Sequence, residues 1–101
     1  MTIEIQGPFS PSESFDARMR EKLTGLHKYF DKITEANLYF REDDGPDGAD
    51  KKAEIRLMIP GNDLFAEHHT DAYETAFAGA FDKVKRQLRK HKEQLVERNH
   101  R

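Results

Sequence analysis

The residues most able to do chemistry are cations. Residues 83–101 hold eight Lys/Arg against two Asp/Glu, a balance of +6, while residues 1–82 hold nine against seventeen, a balance of −8. The net charge of −2 hides this asymmetry, and the local field decides which partners are attracted. Six cations, Lys83, Lys85, Arg86, Arg89, Lys90 and Lys92, fall within ten residues with only Asp82 and Glu93 as acids among them. On a helix they cover about half the circumference. Like charges at i,i+3 and i,i+4 repel by about 0.2–0.5 kcal/mol per pair. A purely structural helix gains by interleaving glutamates, so an unneutralised stripe is a local conflict of the kind that marks function. Phosphate binding is the chemistry it suits, since each Lys or Arg displaces condensed counterions. The competing explanation is a solvated face whose cations favour a helix C-terminus.

Other constellations carry less. Glu67-His68-His69 offers metal-ligand types, but successive strand residues point to opposite faces, so both imidazoles do not reach one ion. Asp43, Asp44, Asp47 and Asp50 lack the order and distal glutamate of an EF-hand loop, and a solvated hairpin loop is the simpler expectation. Tyr39 and Phe65 on strands are candidates for base stacking, against ordinary packing. No cysteine is present, which removes disulfides, thiolate zinc sites and cysteine nucleophiles. No Gly-rich phosphate loop or Ser/His/Asp order is found, so no enzyme, cofactor or metal is expected.

These residues need elements to position them, and 101 residues suffice for one domain. The hydrophobic and charged shares are both 36%, which fits a small α+β unit with a thin core anchored by ten aromatics. Ile3 and Ile5 alternate with polar neighbours as a short strand. Ser10-Pro11-Ser12-Glu13 predicts a helix start with Ser10 as cap and Glu13 closing a capping box. Phe15, Met19, Leu23, Leu26 and Phe30 then form a stripe on a helix of about residues 11–28. Ala36, Leu38 and Phe40 alternate in a second strand; Ala53, Ile55, Leu57 and Ile59 alternate in a third. The acidic segment 42–50 joins them as a hairpin. Pro60-Gly61-Asn62-Asp63 predicts a tight turn, with a fourth strand over Leu64–His68. Thr70-Asp71 is positioned to start a last helix running to about residue 96. Its apolar residues Phe77, Phe81, Val84, Leu88 and Leu95 lie within about 60° of arc, with Ala80 nearby. The order is β-α-β-β-β-α, an α+β class. If the two helices lie side by side, Arg18, Arg20, Lys22, Lys28 and Lys32 widen the basic patch. No apolar run approaches the ~20 residues of a bilayer span, and no secretory signal is seen, so a cytoplasmic protein is expected.

Three blocks in order resemble the ribosome hibernation promoting factor family: Leu26-His27-Lys28-Tyr29-Phe30-Asp31-Lys32-Ile33, Ala53-Glu54-Ile55-Arg56-Leu57, and Asp82 through Lys92. The resemblance implies a single domain over residues 1–96 with a short tail at 97–101. It implies a four-stranded sheet with two helices on one face, related to the double-stranded RNA-binding fold. It further implies binding to rRNA of the small ribosomal subunit, in the mRNA/tRNA channel, with steric inhibition of translation under stress. The rRNA-binding residues it points to are Lys83, Lys85, Arg86, Arg89, Lys90 and Lys92, joined by Lys22 and Lys28. The acidic 42–50 loop is longer and more negative than the family pattern, and the Tyr73-to-Asp82 interval is one residue longer. The chain stops nine residues after Lys92, without the dimerising domain of long members. A short form is expected, monomeric when free, for which any ribosome dimer requires another protein such as a ribosome modulation factor. The alternatives are a general structured-RNA-binding module, or a protein-interaction domain that works through the 42–50 loop.

Overall fold

The computed structural model describes residues 1–99, with side chains through Val96. Its elements are β1 (Thr2–Gln6), α1 (Glu13–Tyr29), β2 (Glu35–Glu42), β3 (Lys51–Ile59), β4 (Asn62–Thr70) and α2 (Tyr73–Asn99), with a short 3-10 turn at Pro46–Gly48. The strands form one sheet in the order β1-β2-β3-β4. β1 and β2 are parallel, joined through α1, and the other pairs are antiparallel hairpins. This is the expected α+β order.

Strand alternation decides what is buried. Ala36, Leu38 and Phe40 on β2, Ala53, Ile55, Leu57 and Ile59 on β3, and Leu64 and Ala66 on β4 enter one core. The helices cover that face with Phe15, Met19, Leu23 and Leu26 from α1 and Ala76, Phe77, Ala80, Phe81, Val84 and Leu88 from α2. Complete burial of each Leu side chain contributes roughly 1.5–3 kcal/mol, so the two stripes fix which sides of the helices remain for solvent. Phe15 meets Phe77, Lys22 meets Phe81, and Phe30 meets His91. The helices therefore run side by side in the same direction, with their C-terminal ends together.

Several boundaries depart from expectation. The cap of α1 is Ser12, whose Oγ accepts from the Phe15 N–H at 3.2 Å, so Ser10 does not cap and Pro11 precedes the helix. A serine two residues further on presents its oxygen to the third helical N–H equally well, and Phe15 is the residue that must be held against the core. β4 is longer than the expected Leu64–His68, because its ladder with β3 continues to the Lys51–Thr70 pair. That pairing keeps Thr70 extended, so it does not cap α2; its Oγ1 accepts from the Ala72 N–H at 3.1 Å, and Ala72 O accepts the first helical bond from Ala76 N. Gly61, with φ of +80°, follows Pro60 in a two-residue turn of the type that needs glycine at that position. α2 passes through residue 96 to Asn99. Of the expected 97–101 tail, residues 100 and 101 lie outside the described residues.

Candidate nucleic-acid interface

α2 presents three sides above the core. Arg86 and Lys90 stand on its outer crest, exposed to solvent. Lys85 and Arg89 turn toward α1, where they line a groove together with Lys22, Gly25, Tyr29 and Phe81. Lys83 turns the other way, and its Nζ donates to Glu67 O on β4 at 2.9 Å. Beside it the Gln87 side chain bonds both backbone groups of Phe65, with Nε2 donating to the carbonyl at 2.7 Å and Oε1 accepting from the N–H at 3.3 Å. β4 is an edge strand, and an open edge invites pairing with foreign strands. Lys83 and Gln87 close it. Lys92 also has an internal partner: its Nζ donates to Tyr29 O at 2.9 Å, at the end of α1, and sits 4.1 Å from the Tyr29 ring centroid. A cation there complements the negative helix terminus.

The eight candidate cations thus divide by task. Lys85, Arg86, Arg89 and Lys90 are exposed and form no ion pair among the described residues. Lys22 joins Lys85 and Arg89 across the groove, with its Nζ 5.4 Å from the Phe81 ring. Lys83 and Lys92 are tied to backbone carbonyls. Lys28 is exposed on α1 but does not line the groove. Of the other α1 cations, Arg20 pairs with Asp16 at 2.9 Å and Arg18 covers Phe15 at 5.5 Å. The sequence pattern missed Gln87 and Tyr29, neither of which is charged. Tyr29 shares a side of α1 with Lys22 and Gly25, the signal that could have found it.

The acidic loop is segregated from these cations. The Lys51–Thr70 register puts it at the end of the sheet where α2 begins, and Lys83 lies ten residues, about 15 Å, further along the helix. Much of its charge is answered locally. Lys51 pairs with Glu42 at 2.9 Å and Asp50 at 3.7 Å, and Asp43 is met by Lys52 at 3.4 Å and His69 at 3.5 Å. Hydrogen bonding from Lys52, then from His69, holds the Asp43 carboxyl below its usual range. Burial pushes Glu54 up, but bonds from Arg41 and Lys52 outweigh it and leave that carboxyl lowered. His69 faces the outer side of the sheet with this network, while His68 turns in against Gly79 of α2. The two imidazoles therefore do not converge. Tyr39 and Phe65 lie on the outer sheet face, each with an arginine 5.9 Å from its ring, Arg41 and Arg56 respectively. Tyr73 is oriented inward, stacked on Phe9 at 4.2 Å and edge-on to Phe40 at 5.2 Å.

This fold recurs in known proteins. A ribosomal subunit interface protein from Coxiella burnetii superposes with a TM-score of 0.78 at 20% identity, covering 92% of this chain and 99% of that one. The N-terminal domain of Protein Y from Thermus thermophilus gives 0.73 at 22% identity, covering 90% and 99%. In sequence, the ribosome hibernation promoting factor of Acinetobacter guillouiae is 29% identical over 96% of this chain and 92% of its own length. Its counterpart in Pseudomonas putida is 39% identical over 72% and 68%. The family model described as Sigma 54 modulation protein / S30EA ribosomal protein matches residues 3–96, nearly the whole described domain including α1, most of α2 and every candidate cation, and the chain therefore belongs to that family.

Proposed function

We propose that this protein is a non-enzymatic ribosome hibernation factor that binds the small ribosomal subunit through α2 and inhibits translation by occupying the mRNA/tRNA channel. The observation that carries the proposal is the set of four exposed cations without an ion pair among the described residues, Arg86 and Lys90 on the crest of α2 and Lys85 and Arg89 on its side toward α1. They stand on a domain whose relatives are named ribosome hibernation promoting factors. Four side chains spaced along the solvent side of one helix suit successive phosphates, and phosphate contact without base reading serves a shape-specific rRNA site. The acidic loop, gathered at the far end and largely paired with Lys51, Lys52 and His69, does not oppose such docking, and its internal pairing weakens the case for a protein-interaction surface there. Binding takes place in the cytoplasm, by a monomer, and joining of two ribosomes requires a further protein such as a ribosome modulation factor.

The test is co-sedimentation with purified small subunits. Binding should weaken steeply as salt rises and be displaced by mRNA together with tRNA. A protein that stays in the supernatant at low salt, or that binds free duplex RNA as tightly as the subunit, refutes the proposal; the second result favours a general structured-RNA-binding module.

A further inference from the structure

The groove between α1 and α2 has a volume of about 400 Å³ and combines an apolar floor with a cationic rim. Leu26 and Phe81 form the floor, and Lys22, Lys85 and Arg89 stand around it, with no acidic residue in the lining. At one end is Tyr29, 43% exposed and one of the few large hydrophobic side chains left at the surface among the described residues. It also borders a neighbouring hollow lined by Lys92, Glu93 and Val96. The Lys92 ammonium, 4.1 Å from the ring centroid and bonded to Tyr29 O, props the ring.

Gly25 points to the same place. It lies in the middle of α1, where glycine costs about 0.5–1 kcal/mol relative to alanine. A Cβ built there meets nothing within 4 Å, so internal packing does not require the glycine. Its effect is to leave the groove one side chain deeper beside Tyr29.

From this geometry we infer that the groove receives a single unstacked RNA base, stacked on Tyr29 above Gly25, with the flanking phosphates held by Lys22, Lys85 and Arg89. This deepens the RNA-binding proposal above and rests on it. The volume lies in the range of small-ligand sites. Proteins that hold unpaired nucleotides pair a cationic track for the backbone with an aromatic platform for the base. An acidic peptide would satisfy the rim but would leave the exposed ring and the open floor without use. The groove therefore adds a base contact to the phosphate contacts of Arg86 and Lys90 on the crest.

The experiment uses a short single-stranded RNA carrying one 2-aminopurine, whose fluorescence falls when the base stacks on an aromatic ring. Wild type and Tyr29→Phe should quench it alike. Tyr29→Ala should bind about five- to a hundredfold more weakly and lose the quench, the range that one base stack supplies. Gly25→Gln, a better helix former, should raise thermal stability yet block the groove and lose the quench. Because that variant stabilises the fold, its failure to bind cannot be ascribed to unfolding. Tyr29→Ala and Gly25→Gln proteins that bind and quench like wild type overturn the inference. So does competition by a poly-glutamate peptide as strong as by unlabelled RNA, which assigns the groove to an acidic protein. Pelleting with small subunits separates the two proposals. Quenching without pelleting keeps the groove and removes the ribosome; pelleting that is indifferent to Tyr29→Ala, without quenching, keeps the ribosome and removes the base site.

Discussion

Neutralising Arg86 and Lys90 together, as Arg86→Gln with Lys90→Gln, separates binding from folding more cleanly than any other change to α2. Both side chains are exposed. The variant removes like-charge pairs between Arg86 and each of Lys83, Arg89 and Lys90, and removes favourable pairs of Arg86 with Asp82 and Lys90 with Glu93. At about 0.2–0.5 kcal/mol per pair, three repulsions lost against two attractions leave stability within about 0.5 kcal/mol of wild type, less than about 4 °C in Tm for a domain of this size. The binding effect is much larger. Two fewer phosphate contacts lower the slope of log K against log salt by about 1.4–1.8, using 0.7–0.9 per contact. The affinity penalty should consequently be roughly tenfold greater at 50 mM than at 200 mM salt. Sedimentation titrations of both proteins against small subunits at these two concentrations measure that ratio directly. A variant whose penalty is the same at both salts makes no phosphate contact through these residues, and the assignment of the α2 crest fails.

The remaining predictions concern the parts of the fold that hold this face in place. Gln87→Ala removes both bonds to Phe65 and should cost about 1–2 kcal/mol, with faster hydrogen exchange at the Phe65 amide; unchanged exchange would show that the edge is sealed otherwise. Gly79→Ala should destabilise by about 1–3 kcal/mol, because its Cβ would overlap the His68 ring, and the added His68→Ala change should recover part of the loss in thermal melts. The lowered carboxyls of Asp43 and Glu54 contribute stability that is present above the unfolded carboxylate value of about 4 and is lost as pH falls through their folded values. Acid titration of Glu54→Gln should accordingly show a shallower loss below about pH 4; a curve of wild-type steepness would place the acid-labile contacts elsewhere.

Periodicity made the core legible. Ala53, Ile55, Leu57 and Ile59 alternate, Phe77 through Leu88 recur at helical spacing, and burial follows both patterns. Turn chemistry was equally clear at Pro60-Gly61. Boundaries were less so, because Ser10 and Ser12 both satisfy a cap rule and only the need to seat Phe15 chooses between them. The extension of β4 over His68, His69 and Thr70 comes from pairing with β3, a tertiary effect that outweighs the polarity of those residues. Asn37 illustrates the same limit: polar, on the outer sheet side, it is only 5% exposed since it sits mid-sheet between Glu4 and Arg56 in register. For the site, charge marked the candidates for phosphate contact, but not which of them already have a partner within the fold. On a helical wheel Lys83 lies within about 20° of Lys90, and Lys92 within about 20° of Lys85; only the positions of the β4 edge and of the α1 terminus divide them.

The placement of the acidic loop at one end of α2 and the free cations toward the other has a kinetic consequence. In the field of a polyanion, a body charged in this way feels a torque as well as a force. With its net −2 it is held off at long range, and the torque turns the cationic end forward before attraction takes over within about a Debye length, ~8 Å at physiological ionic strength. Encounters that begin the wrong way round are rejected rather than trapped. The domain should thus associate more slowly than a uniformly basic protein with the same contacts, gain less speed as salt is lowered, and spend little time on unrelated RNA.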